Sequence, residues 1–226
     1  MTRLALINPN TSAETTAAMM EIAREAAGGR AEVVGFTAPF GAPLITTQEA
    51  LSQSAKAVMA LAPELAGTFD AVIIAAYGDP ALLSLKDRLR VPITGIAEAS
   101  MLKAGEDGRA FAVVTTTPKL VEVIAAAADG YGHRQSFRGV RLAPGEPEVV
   151  MADPNRLLEA LETACNEAIS QLGAEALIIG GGPLARAARA LQTRFSIPII
   201  EPVPEAVRLA TSRAKGYRLA HLLTGN

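Results

Sequence analysis

The feature that most constrains this chain is that it repeats itself at an offset of about 105 residues. Phe69-Asp70-Ala71-Val72-Ile73-Ile74-Ala75-Ala76-Tyr77-Gly78-Asp79-Pro80 parallels Ala174-Glu175-Ala176-Leu177-Ile178-Ile179-Gly180-Gly181-Gly182-Pro183. Each is an apolar strand running into a Gly/Pro turn, and each is followed by a helical stretch and a second strand, Val91-Pro92-Ile93 in one half and Ile197-Pro198-Ile199 in the other. The openings match as well, Arg3-Leu4-Ala5-Leu6-Ile7 against Arg109-Ala110-Phe111-Ala112-Val113. Short β-rich runs alternate with Ala-, Leu- and Glu-rich amphipathic segments, the pattern of βα units around a parallel sheet.

Strands are expected at residues 2–8, 31–36, 71–76, 93–95, 110–115, 140–143, 176–180 and 199–202. The fold class that follows is α/β, with two similar lobes related by a pseudo-two-fold axis. Each lobe is a parallel sheet flanked by helices, and the ligand crevice lies between them at the carboxyl ends of the strands. Residues 1–96 with the final helix, from about Pro204, returning within 204–226 form the first lobe; residues 97–203 form the second, with 97–108 as the crossover.

Half of the 226 residues are hydrophobic, enough to fill a substantial interior, and the formal charge of −2 leaves no basic stripe to neutralise a phosphate backbone. Nucleic acid is excluded as a partner. The apolar runs fall far short of the ~20 residues needed to cross a bilayer. Met1 leads directly into a strand without a basic n-region or long apolar h-region, so no membrane association and a cytoplasmic location are expected. Cys165, the single cysteine, lies among Leu157, Leu161, Ala168, Ile169 and Leu172 at helical spacing and reads as a core thiol. Neither His133, expected in a surface loop, nor His221 near the C-terminus can join it in a metal site.

Four strand ends carry similar chemistry. Asn8-Pro9-Asn10-Thr11-Ser12 opens a helix near Ala13, Thr115-Thr116-Thr117-Pro118 opens one in the second half, and Tyr77-Gly78-Asp79-Pro80 and Gly180-Gly181-Gly182-Pro183 complete the set. Such turns aim backbone donors and helix N-termini at the crevice, suited to a carboxylate or an enolate-like oxygen. No Gly-x-Gly-x-x-Gly follows the first strand and no Gly-Lys-Ser/Thr closes a phosphate loop, so no nucleotide cofactor is expected.

Taken with Pro92-Ile93-Thr94-Gly95-Ile96-Ala97-Glu98-Ala99 and Leu184-Ala185, these motifs resemble, over essentially the whole chain, hydantoin and allantoin racemases of the aspartate/glutamate racemase superfamily. The resemblance implies a cofactor-independent isomerase, assembled as a homo-oligomer, acting on a small carboxylate or cyclic imide through two cysteines on opposite faces of an acidic carbon. It places those cysteines at Ala76 and Gly181, so both thiols are missing. It also implies that Asn10, Ser12, Thr116 and Thr117 hold the carboxylate or imide, beside the backbone of Gly181 and Gly182. Proton transfer then falls to a non-cysteine group, the candidates being Asp79, Tyr77 and Glu98, with Glu201 at the matching place in the second half. Each has a simpler reading: Asp79 as a helix cap, Tyr77 as a pocket wall, and the glutamates as capping carboxylates. Two alternatives remain open, a lyase or hydrolase relying on oxyanion stabilisation and a binding protein that has lost catalysis.

Overall fold

A computed structural model describes the backbone of residues 1–224 and the side chains of residues 1–220; the His221 side chain and residues 225–226 lie outside the described residues. The strands are β1 (Thr2–Asn8), β2 (Ala31–Thr37), β3 (Ala71–Ile74), β4 (Ile93–Gly95), β5 (Phe111–Thr115), β6 (Phe137–Leu142), β7 (Ala176–Ile179) and β8 (Ile199–Ile200). The helices are α1 (Ala13–Ala27), α2 (Gln48–Ala60), α3 (Ala62–Leu65), α4 (Leu82–Arg88), α5 (Ile96–Ala104), α6 (Val121–Gly130), α7 (Pro147–Met151), α8 (Pro154–Leu172), α9 (Ala185–Leu191) and α10 (Pro202–Thr224).

The sequence repeat becomes a repeat of topology. Two four-stranded parallel sheets have orders β2-β1-β3-β4 and β6-β5-β7-β8. The equivalent central pairs hold the same register, Leu4 opposite Ala71 through Ile7 opposite Ile74 in one sheet and Phe111 opposite Ala176 through Val114 opposite Ile179 in the other. In both sheets the strand order reverses beside the first strand, so the crevice of each lobe opens where β1 and β3, or β5 and β7, end side by side.

The central strands read as unbroken apolar runs because both faces are covered. Their alternation sorts the side chains into layers. Leu4, Leu6 and Ile73 of the first sheet share one cluster with Phe111, Val113 and Ile178 of the second, together with residues of α1, α5 and α10. The opposite faces, Ala5, Ile7, Val72 and Ile74 in one lobe and Ala112, Val114, Leu177 and Ile179 in the other, form separate outer clusters. Dividing the chain near residue 97 thus separates two sheets around one shared core. Helix α10 packs against α1 and α5 and onto β1, β3 and β4.

Local signals behave as their chemistry demands. The Ser12 hydroxyl accepts from the Thr15 N–H at the start of α1, and Gly28 ends that helix in the left-handed region at φ 52. Asp153 caps α8, whose inner face buries Leu157, Leu161, Cys165 and Ala168. Three expectations need correction. Strand β6 begins at Phe137 and ends at Leu142, earlier than the span 140–143. Only Ile199 and Ile200 pair with β7; Pro202, expected to end the strand, instead starts α10, where its missing N–H costs nothing. His133 is half-buried rather than a surface residue: its ring meets Phe111 edge-to-face at 5.5 Å, and burial lowers its pKa.

Candidate functional site

A pocket lies where the two switch points face each other. It is lined from the first lobe by Asn10, Ala75, Ala76 and Tyr77 and from the second by Thr115, Thr116, Thr117 and Gly180 through Leu184. Leu44 and Ile45 from the loop before α2, with Leu120 and Met151, close its apolar side. The cavity volume is about 50 Å³. At roughly 10–15 Å³ per water, that is space for a few waters.

The Asn8–Ser12 turn is wired from within. The Asn8 amide donates to Asn10 Oδ1 at 2.8 Å, and the Ser12 N–H donates to the same oxygen at 2.9 Å. These two donors fix which end of the Asn10 side chain is oxygen. Its Nδ2 therefore remains as a donor on a residue that lines the pocket, with no partner among the described residues. Ser12, by contrast, spends its hydroxyl on the Thr15 N–H at 3.1 Å and is absent from the lining.

The second lobe supplies complementary groups. Thr115 Oγ1 donates to the Gly180 carbonyl at 2.9 Å and lies 3.1 Å from Thr117 Oγ1. With the Thr115 proton committed, Thr117 is the donor of that pair and its own lone pairs are free to accept. Thr116 Oγ1 donates to Met151 Sδ at 3.4 Å, a weak bond that a ligand can replace. The backbone N–H groups of Ala76, Thr116, Gly181 and Gly182 meet no protein acceptor among the described residues. The glycines permit the close approach of the lobes. A Cβ on Gly180 would come 3.2 Å from the Tyr77 ring, and one on Gly182 would come 2.6 Å from Met19 Sδ and 3.0 Å from the Ala75 carbonyl.

Three carboxylates proposed from sequence are engaged elsewhere. Asp79, at φ 46, turns its side chain onto the start of α5, accepting from the Ala97 N–H at 2.9 Å and the Glu98 N–H at 2.8 Å. The Tyr131 hydroxyl of the second lobe completes the set at 2.7 Å. Asp79 thus caps α5, not the helix after Pro80 that its simpler reading assigned to it. Burial raises its carboxyl to about 6, against the lowering effect of those three donors. Glu98 caps the same helix through the Gly95 N–H at 3.3 Å and forms a two-point pair with Arg213 at 2.8 and 2.7 Å. Burial pushes its pKa upward, but the Arg213 guanidinium outweighs it and the net shift is downward. Glu201 bonds Arg189 at 3.3 Å and Gln192 at 2.8 Å, with its pKa raised by burial. None of the three lines the pocket.

Tyr77 does line it, but its hydroxyl lies 3.5 Å from Ser100 Oγ, and burial raises its pKa far above the ordinary phenol value. Its ring is a wall and its phenol is no base near neutral pH. Ala76 and Gly181, where the two thiols are expected, both line the pocket, one from each lobe. Among the described residues, no carboxylate, histidine or cysteine lines the pocket. Cys165 is buried in the outer cluster of the second lobe, where burial pushes its thiol up to about 12. Among the described residues no group of His, Cys, Asp and Glu could hold a metal ion, and no helix is long and apolar enough to cross a membrane. Sequence reasoning missed Leu44, Ile45, Leu120, Met151 and Tyr131; isolated residues in loops and helix ends carry no periodic signal that would have marked them.

The allantoin racemase of Pseudomonas fluorescens has a structure similar over 94% of this chain and 91% of its own, at 31% identity and a TM-score of 0.89. The allantoin racemase of Klebsiella pneumoniae matches with 28% identity and a TM-score of 0.86, over 94% of this chain and 87% of that one. In sequence, a hydantoin racemase of Pseudomonas sp. (strain NS671) is 28% identical across 96% of this chain and 91% of the relative. The family model described as Asp/Glu/Hydantoin racemase matches residues 4–210, spanning both lobes and all four strand-end turns, and this chain belongs to that family.

Proposed function

We propose that the protein is a racemase-type isomerase acting on a small cyclic imide of the hydantoin class, without a thiol acid–base pair. One observation carries this reading: the pocket between the lobes is lined by Asn10, Thr116, Gly181 and Gly182, whose Asn10 Nδ2 and backbone N–H groups meet no protein acceptor among the described residues, and by Thr117, whose Oγ1 keeps acceptor capacity. That alternation suits an imide, whose carbonyls accept and whose N–H donates, better than a plain carboxylate. The racemase relatives support the same class of substrate.

The carbon between a carbonyl and a ring nitrogen in a hydantoin is acidic because its conjugate base is an enolate. Donors held at the enolate oxygen stabilise that charge as it develops. With alanine and glycine at the two thiol positions, water admitted to the pocket takes and returns the proton. The rate gain then comes from oxyanion stabilisation, without the roughly 10²–10⁴-fold that a positioned acid–base group contributes.

A second reading is favoured by the lack, among the described residues, of any titrating carboxylate, imidazole or thiol in the lining: a binding protein that keeps the crevice without turnover. Incubating each enantiomer of 5-methylhydantoin and 5-benzylhydantoin with the protein in deuterated water separates the two. Loss of optical rotation together with deuterium uptake at the ring carbon is the expected result. Thermal stabilisation without exchange transfers the case to the second reading, and new products without inversion point to lyase or hydrolase chemistry. No exchange and no stabilisation would sink both assignments of the pocket.

A further inference from the structure

A cavity of about 330 Å³ lies between the last turn of α1 and one face of α10, at the opposite end of α1 from Asn10. Arg30, Arg208, Lys215, Thr211 and Ser212 supply its polar lining, and no carboxylate joins them among the described residues. We propose that this cavity binds a compact, phosphate-bearing polyanion. It shares no lining residue with the pocket between the lobes, and the 15 residues of α1 put about 20 Å between the two. The site is therefore independent of what the pocket between the lobes binds.

Helix α10 gathers its part of the lining on one face, because Arg208, Thr211, Ser212 and Lys215 stand three, four and seven residues apart. Arg30 meets them from the turn after α1. Its backbone N–H donates to the Ala27 carbonyl at 2.9 Å, and its guanidinium donates through Nε to Ala27 and through Nη2 to Ala26, both at 3.4 Å. The carbonyls at the end of α1, which would otherwise repel an anion, are thereby answered. Arg30 Nη1 and the Lys215 ammonium keep no partner among the described residues. The neighbouring carboxylates are engaged, Glu205 with Arg208 and Glu25 with Arg189. Two cations thus face one cavity without a counter-charge, an arrangement that a bound polyanion relieves. Phosphate suits the donors better than a single carboxylate does. Arg30, Lys215, Ser212 and the remaining N–H groups of Arg208 outnumber the two oxygens of a carboxylate. The Thr211 hydroxyl spends its proton on the Val207 carbonyl at 2.7 Å and adds no donor.

Isothermal titration of inorganic pyrophosphate into the full chain, at an ionic strength fixed with sodium chloride, tests the assignment. One saturable site per chain is expected, and Lys215→Ala and Arg30→Ala should each weaken it at least about fivefold. Arg138→Ala removes an exposed cation of β6 outside the cavity; it should leave the affinity within about twofold, since screening confines the effect of a distant surface charge. Lys215 is exposed and makes no bond that the fold needs, so Lys215→Ala decides the matter alone where Arg30→Ala frays α1. Absence of saturable binding overturns the inference, as does an affinity that survives Lys215→Ala. An equal loss on Arg138→Ala also overturns it, because the chain would then be responding to net charge rather than to this cavity.

Discussion

Asp79 sets two physical effects against each other, and replacing it with asparagine tells which one wins. Its carboxylate accepts from two N–H groups at the start of α5 and from the Tyr131 hydroxyl, an arrangement that by itself favours the charged form. Burial favours the neutral form more strongly and raises the pKa from 3.8 to about 6. A raised folded-state value means that the folded protein binds this proton more tightly than the unfolded chain does. The group's stabilising contribution is then fully present below about 3.8 and lost as the pH rises through about 6. Between pH 7 and pH 5 the linkage is on the order of 1 kcal/mol in favour of the more acidic condition.

Asp79→Asn keeps one acceptor oxygen and does not titrate, so the stability difference between natural and variant proteins isolates this group. Urea unfolding followed by far-ultraviolet circular dichroism is the suitable assay, because the chain has no tryptophan to report by fluorescence. The natural protein is expected to gain on the order of 1 kcal/mol on the variant as the pH falls from 7 to 5. A difference that stays flat or shrinks over that interval would show that the helix N-terminus and Tyr131 outweigh burial, and would refute the reasoning. Coincident transitions by a second probe establish that two-state energies apply to the two-lobed molecule.

Gly95→Ala places a Cβ 2.0 Å from the Asp79 carboxyl carbon, so the cap must be expelled; a loss on the order of 3 kcal/mol is expected in unfolding experiments, and adding Asp79→Ala should recover part of it. Asn10→Asp retains the oxygen that receives Asn8 and Ser12 but replaces the pocket-facing donor with a second acceptor. Calorimetry should show hydantoin affinity falling at least about tenfold, and an unchanged affinity would remove Asn10 from the site. Ala76→Cys combined with Gly181→Cys places thiols at the two positions that the resemblance implies for them and should raise the racemisation rate measured by polarimetry. The second thiol sits at φ 145, so a cost of roughly 1–3 kcal/mol in melting experiments accompanies it; no gain in rate from a folded double variant would count against these positions.

The strands, their duplication and the four turns were legible in the sequence because each is written in neighbouring residues. Central strands buried on both faces read as continuous apolar runs, such as Val72-Ile73-Ile74 and Leu177-Ile178-Ile179. Caps such as Ser12 act within three or four residues of themselves. The site was legible only in part. Asn10, Thr116, Thr117 and the glycines reach the pocket because they stand at strand ends, whose position the topology dictates.

The carboxylates were different. Nothing near Asp79 says that it turns back to cap a helix beginning 17 residues later, or that Tyr131 will meet it from the other lobe. Nothing near Glu98 announces Arg213, which lies 115 residues away. Which side chain faces a cavity and which is consumed as a cap or an ion pair depends on where distant helices come to rest. The sequence by itself determined a doubled α/β framework with donor-rich turns, because backbone preference and apolar alternation are local. Only the tertiary structure decided that the pocket between the lobes has, among the described residues, amides, hydroxyls and backbone N–H groups for its polar lining, because long-range partners engage Asp79, Glu98 and Glu201 elsewhere.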